Sequence, residues 1–226
     1  MKSYQLAHQL LNLLEEFDKE NQGEELSMQD FAGFFINRMA ASAVPTDSSD
    51  VRFGDQEPEA QEVAFQIDNN IGRLVVYMSR YAKFYIKKAL DSTPLQTAED
   101  FTCLAILLTH NNLLKGDLIS RNIQEKTSGT EVIRRLLAAD LVVQVDDETD
   151  KRSKRVSITQ KGRELLYRVF TDMSNVGKIV TGNLNLQEKL TLQFLLQKLE
   201  YFHHDVYHNK NISSKADLKE LAEKNI

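Results

Sequence analysis

Apolar residues recur three and four positions apart along most of this chain, the spacing that lines one face of a helix. Leu6, Leu10, Leu13, Leu14 and Phe17 form a first stripe, and Phe31, Phe34, Phe35 and Met39 begin a second that ends near Ala43. From Gln61 to Leu90 the row through Ile67, Ile71, Leu74, Met78 and Tyr81 predicts one long amphipathic helix of about eight turns. Phe101, Leu104, Ala105, Leu107 and Leu108 carry the next helix, with Thr97 at its cap and Asp100 three residues on. Leu113, Leu114, Leu118, Ile119 and Ile123 predict another, and Val132, Ile133, Leu136 and Leu137 its successor. Lys161 to about Val180 reads as helical. After a turn at Thr181-Gly-Asn-Leu, Asn185 and Glu188 open a last long helix with Leu190, Phe194, Leu195, Leu199, Phe202 and Val206 on its apolar face.

The period changes at Leu141 to Val145 and again at Arg155 to Thr159. There Val143, Val145, Val156 and Ile158 alternate with polar residues, as in a half-buried strand pair. Between Asp147 and Arg155 the connecting tip holds four cations and three acids, so it projects into solvent as a hairpin loop. Upstream, Gln124 to Ser128 lacks an apolar pattern and reads as a tight turn between two short helices. Thr127 or Ser128 can cap the second of these, with Glu131 at the capping-box position from Ser128. Two short helices and a tight turn make a helix-turn-helix, whose second helix can enter a major groove. That helix carries Ser128, Thr130, Arg134 and Arg135. Gly129 beside them either lets the backbone approach a phosphate or is a tolerated weak helix former. Helix, turn, helix and basic hairpin together give a winged helix-turn-helix. The expected fold class is mainly α with a small β-hairpin wing, attached to a helical dimerisation body.

The wing residues Asp147, Asp150, Arg152, Val156, Thr159 and Gly162, with Lys151 and Ile158 as conservative changes, resemble the wing of the MarR-type transcriptional regulators. Arg135, Leu136, Leu141 and Val142 resemble the end of that family's recognition helix. The resemblance covers about residues 61–207. It implies a homodimer on a pseudo-palindromic operator, most simply a repressor released by a small-molecule effector. It also implies DNA contacts from Arg121, Lys126, Ser128, Thr130, Arg134 and Arg135, and from Lys151, Arg152, Lys154 and Arg155 of the wing, with Asp150 holding Arg152 in place. Tyr77, Tyr81 and Phe84 would line an effector pocket, although aromatics at helical spacing more often form core or interface. Three positions depart from the family pattern: Glu131 follows Thr130 where an arginine is common, Asp140 replaces a glycine, and Gln144 replaces an arginine.

The net charge of −5 is at odds with a DNA-binding protein until it is divided by region. Residues 1–60 hold 4 Lys/Arg against 12 Asp/Glu, whereas residues 61–226 hold 24 against 21. The acidity therefore belongs to an extension, and a local basic face remains available for phosphates. The expected organisation is a helical extension over 1–43, a linker over 44–60, the dimerisation region at 61–94 and 163–208, the winged domain at 95–162, and a polar tail over 209–226. The extension is expected to pack on the dimerisation body, with a partner-binding arm or an acidic flap over the basic face as alternatives. No apolar run suits a membrane span and no signal-peptide pattern opens the chain, so a cytoplasmic protein with no membrane partner is expected. There is no phosphate-cradling glycine loop or nucleophile elbow, which points away from an enzyme and from a cofactor. The sole cysteine, Cys103, reads as a buried thiol rather than a peroxide sensor. His203, His204 and His208 are weak metal candidates whose favoured reading is a solvated helix end. A winged-helix interaction module that does not bind DNA is the alternative function.

Overall fold

The computed structural model describes residues 3–21, 27–43, 52, 56–110, 112–210 and 212–224. The chain divides into two compact units, residues 1–61 and 62–226. In the first, α1 (Ser3–Glu20) and α2 (Met28–Ala43) pair through their aromatic positions. Phe17 is buried, with its ring 5.5 Å from Phe31 and 5.3 Å from Phe34. Arg38 stacks over Phe34 at 5.2 Å and reaches Glu20 at 2.5 Å. The side chain of Met39 and most of the expected linker lie outside the described residues. A third helix, α3 (Pro58–Phe65), starts inside the stretch expected to be linker. Proline suits the first turn of a helix, where its missing N–H has no intrahelical partner to lose.

The second unit runs α4 (Ile67–Ala89), α5 (Ala98–Leu108), β1 (Leu113–Leu114), α6 (Lys115–Arg121), α7 (Lys126–Ala138), β2 (Val142–Asp146), β3 (Lys154–Ile158), α8 (Gln160–Thr181), α9 (Leu186–Asn209) and α10 (Lys215–Lys224). The helix expected to be continuous from Gln61 breaks at Gln66, whose φ of −53° and ψ of 141° leave the helical region. Leu113 and Leu114, expected to be helical, pair instead with Val156 and Arg155 as the outer strand of a sheet ordered β1-β3-β2. The expected polar tail contains α10, opened by Ser214 and Asp217, which exchange backbone hydrogen bonds in the manner of a capping box.

The wing strands form, but β2 is one residue out of phase with the alternation read from the sequence. Val142 pairs with Ile158 and Gln144 with Val156, so Val142 is buried while Val143 and Val145 are 50% and 55% exposed. Leu141-Val142-Val143 permits either phase, and packing chooses: Leu141 is wholly buried where the chain leaves α7, and Val142 follows it inward.

The core of this unit joins Leu104 and Leu107 of α5, Leu118 of α6, Ile133 and Leu136 of α7, Val156 of β3, and Leu166 and Val169 of α8. Cys103 lies within it. Burial, and then the negative charge of Asp100, push its thiol up to about 12, which leaves little of the reactive thiolate at neutral pH. On α9, Leu190, Phe194, Leu195 and Leu199 are exposed and only Val206 is buried, so a single chain does not cover the apolar face of this helix. Among the described residues no helix is long and apolar enough to cross a membrane.

Candidate nucleic-acid interface

The capping box at the start of α5 also organises the recognition helix. The Thr97 hydroxyl accepts from the Asp100 N–H at 3.3 Å, and one Asp100 oxygen accepts from the N–H groups of Gln96 and Thr97 at 2.8 and 3.1 Å. The other Asp100 oxygen accepts from Arg135 Nη2 at 2.6 Å, with the aspartate side chain only 1% exposed. Arg135, expected to face DNA, is instead turned toward the core. The cause is helical rotation: neighbouring residues differ by about 100°, so Arg134 points outward while Arg135 meets α5.

The turn between α6 and α7 comes two residues earlier than expected. Asn122 donates to the Glu99 carbonyl and to Gln124 Oε1, both at 3.0 Å, and Ile123 adopts a left-handed φ of 51°. A β-branched residue is strained in that region and is held there by its surroundings. Helix α7 then begins at Lys126 with Glu125 at the cap and no side-chain cap bond. Thr127 and Ser128 therefore lie in its first turn and cap nothing. Glu131 forms no capping box; it accepts two bonds from Arg134, at 2.8 Å from Nε and 2.6 Å from Nη2. Those hydrogen bonds hold the Glu131 carboxyl below its ordinary range. Gly129 is buried, and a Cβ there would stand 2.7 Å from both Cγ atoms of Ile119. Its role is the close approach of α6 and α7, which replaces both alternatives offered by the sequence.

At the other end of α7, the Leu141 N–H donates to Leu136 O and the Asp140 N–H to Leu137 O, each at 3.0 Å, which closes a Schellman motif. Asp140 occupies the left-handed position of that motif at φ 57°. A non-glycine residue there costs about 1 kcal/mol.

The wing is braced from within. Asp147 is buried and accepts from the hydroxyl of Thr149, the N–H of Asp150 and the guanidinium of Arg155. Led by the Thr149 hydroxyl, these donors hold its carboxyl well below the usual carboxylate range. Arg155 also reaches Asn112 Oδ1 at 2.9 Å, and Lys154 pairs with Asp146. Asp150 does not grip the Arg152 guanidinium as expected: it accepts from the Arg152 backbone N–H at 3.0 Å and from the Ser153 hydroxyl at 2.9 Å. It shapes the tip, and among the described residues the side-chain cations of Lys151 and Arg152 make no ion pair.

An open groove of about 600 Å³ lies between the helix-turn-helix and the wing. Lys126 and Thr130 of α7, Lys115 of α6, and Arg152 and Lys154 of the wing line it. Arg121 is elsewhere, in a cavity with Ile123 and His204, and Ser128 is exposed at the start of α7. Lys115 and Tyr207 are among the lining residues that sequence reading misses. Lys115 has an available signal, its place at the start of the first helix of the motif. Tyr207 comes from α9, far along the chain, and no local pattern announces it.

Tyr81 and Phe84 stand on α4 at 43% and 57% exposure, with Phe84 against Tyr85 and Tyr77 under Arg80. The groove and the Arg121 cavity open elsewhere, among α5, α6, α7 and α9. The rings of His204 and His208 lie 4.3 Å apart, and His203 packs on Phe202 at 5.1 Å. Among the described residues no three His, Cys, Asp or Glu side chains come together as a metal-ligand set.

Residues 110–162, from the end of α5 through the wing, match the family described as a winged helix DNA-binding domain. In the structure of BpsR from Bordetella bronchiseptica, described as a mechanism for regulation of DNA binding by 6-hydroxynicotinic acid, 98% of the chain superposes on 58% of this one. The TM-score is 0.55 at 23% identity. MarR from E. coli, as a cysteine-to-serine variant complexed with operator DNA, gives a TM-score of 0.52 at 22% identity, covering 59% of this chain and 98% of its own. This chain has the MarR fold. The likeness read from the wing and the recognition-helix end is borne out. A curated relative, the HTH-type transcriptional repressor NicR of Pseudomonas putida, is 24% identical over 136 residues, 60% of this chain and 85% of that protein. About two fifths of this chain lies outside each of these matches.

Proposed function

We propose that this protein is a sequence-specific DNA-binding transcriptional regulator of the MarR type, a ligand-responsive repressor working in the cytoplasm as a homodimer. The carrying observation is the groove that brings Lys126 and Thr130 of the recognition helix together with Arg152 and Lys154 of the wing. Helix α7 supplies the major-groove element, and Lys151 and Arg152 of the wing tip supply phosphate or minor-groove contacts. The exposed apolar row on α9 supports a second copy, which would set two recognition helices roughly 34–36 Å apart on a pseudo-palindromic site. The likeness to NicR supports a repressor, and the regulation of BpsR by 6-hydroxynicotinic acid supports an effector such as a small aromatic acid.

Two variants test the electrostatic roles in opposite directions. Binding would be measured by anisotropy on duplex DNA from around the protein's own gene, over a salt series with unrelated competitor. Arg152→Ala should weaken binding to all sequences and flatten the slope of log K against log salt by about 0.9, the loss of one phosphate contact. An unchanged slope removes Arg152 from the interface. Glu131→Gln should loosen its grip on Arg134, tighten binding and steepen the slope by up to about 0.9. Binding no tighter than that of the parent would mean that Arg134 does not reach the backbone.

One observation favours the second reading, an interaction module that leaves DNA alone. Arg135 is committed to Asp100 and Arg134 to Glu131, so the recognition helix offers less free positive charge than its sequence suggests. Failure of the parent protein to bind either DNA at low salt would select that reading.

A further inference from the structure

We propose that Glu131 aims Arg134 at a guanine, so that Arg134 is a base-reading residue of α7 and Glu131 the residue that positions it. The inference rests on the DNA-binding reading and names what the recognition helix selects. A guanidinium carries five N–H donors in one plane. Glu131 accepts from Nε at 2.8 Å and from Nη2 at 2.6 Å, so its two oxygens take the side-on fork of Arg134. The end-on fork, one N–H from each of Nη1 and Nη2, meets no acceptor among the described residues, and the side chain is 70% exposed.

Direction and support both come from the fold. Glu131 lies one turn nearer the N-terminus of α7, the end that meets base edges in a helix-turn-helix, and it draws the guanidinium that way. Lys126, Thr130 and Arg134 follow at four-residue spacing on one side of α7, and the first two line the groove beside the wing. The carboxylate is flanked in turn: Glu131 Oε1 stands 3.9 Å from Arg135 Nη1, and Arg135 is anchored to the buried Asp100 at 2.6 Å. A row of four alternating charges thus runs from the cap of α5 to the outer face of α7. An isolated exposed pair is worth little, whereas a forked pair within such a row keeps its geometry.

Chemistry then selects the base. The Glu131–Arg134 pair is neutral as a unit and its carboxylate repels phosphate, so it suits a base edge better than the backbone. In the major groove guanine sets two acceptors, N7 and O6, side by side against a fork of two donors. Adenine opposes one of those donors with its own amino group, and thymine offers O4 alone.

The test begins with enrichment of binding sites by the full-length parent from a random-sequence duplex pool, followed by replacement of each base pair in turn. The expected site has one guanine per half whose change to adenine costs the parent roughly tenfold to a hundredfold in affinity. In Arg134→Ala that cost should fall below about threefold, with the profile kept at the other positions. Glu131→Gln should lower the same cost by about threefold or more, because the charge-assisted fork that holds the guanidinium is lost. Both side chains are exposed, so both variants should melt within about 2 °C of the parent. A pair that merely decorates the helix surface would leave the profile unchanged in both variants, which would overturn the proposal with the DNA reading intact. A profile altered by Arg134→Ala and not by Glu131→Gln would overturn the positioning role. Enrichment of no sequence by the parent would overturn the DNA reading as well.

Discussion

Replacing Gly162 with alanine is expected to lower the melting temperature of the second unit by roughly 6–12 °C, through a cost of about 3 kcal/mol or more. Gly162 is buried in the first turn of α8, directly after the wing. A Cβ at this position would stand 2.2 Å from the carbonyl oxygen of Leu141 and 2.9 Å from Ile158 Cγ1. The first of these is a backbone atom, which cannot be relieved by a change of rotamer. That carbonyl is also fixed, because it accepts from the Thr159 N–H at 3.0 Å in joining the end of α7 to the end of β3. Moving it would disturb the Schellman turn on one side and the wing register on the other. Gly177, on the same helix with no atom within 4 Å of its would-be Cβ, is the control. There alanine should stabilise by about 0.5–1 kcal/mol, since it removes only the entropic cost of a helical glycine. Thermal denaturation followed by circular dichroism decides the matter. A Gly162→Ala protein melting within about 2 °C of the parent would show that α8 does not approach the chain reversal this closely.

Removal of the Asp100 carboxylate should cost about 3–5 kcal/mol, the range for breaking one side of a buried ion pair. Three donors converge on this side chain: the N–H groups of Gln96 and Thr97, and Arg135 Nη2. In Asp100→Ala the N–H groups of Gln96 and Thr97 lose their acceptor, so the capping box keeps only its Thr97 half. Arg135, whose buried Nε has no hydrogen-bond partner among the described residues, is left with Glu131, 3.9 Å from Nη1, as its counter-charge. Arg135→Ala should be milder, because the two backbone donors still neutralise part of the remaining carboxylate. The expected order of urea midpoints is therefore parent, then Arg135→Ala, then Asp100→Ala. The same pair separates a structural role for Arg135 from a DNA-contacting one. At a temperature where Arg135→Ala is fully folded, the salt slope of its DNA binding should equal that of the parent. Full stability with a flattened slope would return Arg135 to the interface.

The caps at Thr97 and Asn185, the helices α5 to α9 and the presence of a wing are legible in the residues, because each depends on neighbours within a few positions. Sequence reading fails where two local solutions are nearly equal in energy. Leu113 and Leu114 satisfy a helical stripe as well as a short strand, and the backbone partners on β3 decide for the strand. The run Leu141-Val142-Val143 fits either strand phase, and the pairing of Val142 with Ile158 decides. In the candidate site, the residues expected to meet DNA are singled out by polarity and position along the chain. Which of their charges are free is a property of their partners. Asp100 lies 35 residues before Arg135, and Asn112 lies 43 residues before Arg155.

By itself, then, the sequence determined the kind of molecule: the order of helices around a basic hairpin, an acidic extension set against a mildly basic remainder, and a wing motif similar to that of the MarR-type regulators. Apolar periodicity, capping and turn chemistry are short-range and act before any tertiary contact forms. Only the tertiary structure decided which cations face outward, which glycines cannot be replaced, and that Tyr207 of a distant helix lines the groove between α7 and the wing. Ion pairing, steric exclusion and the lining of a groove depend on separations in space, which sequence distance does not encode.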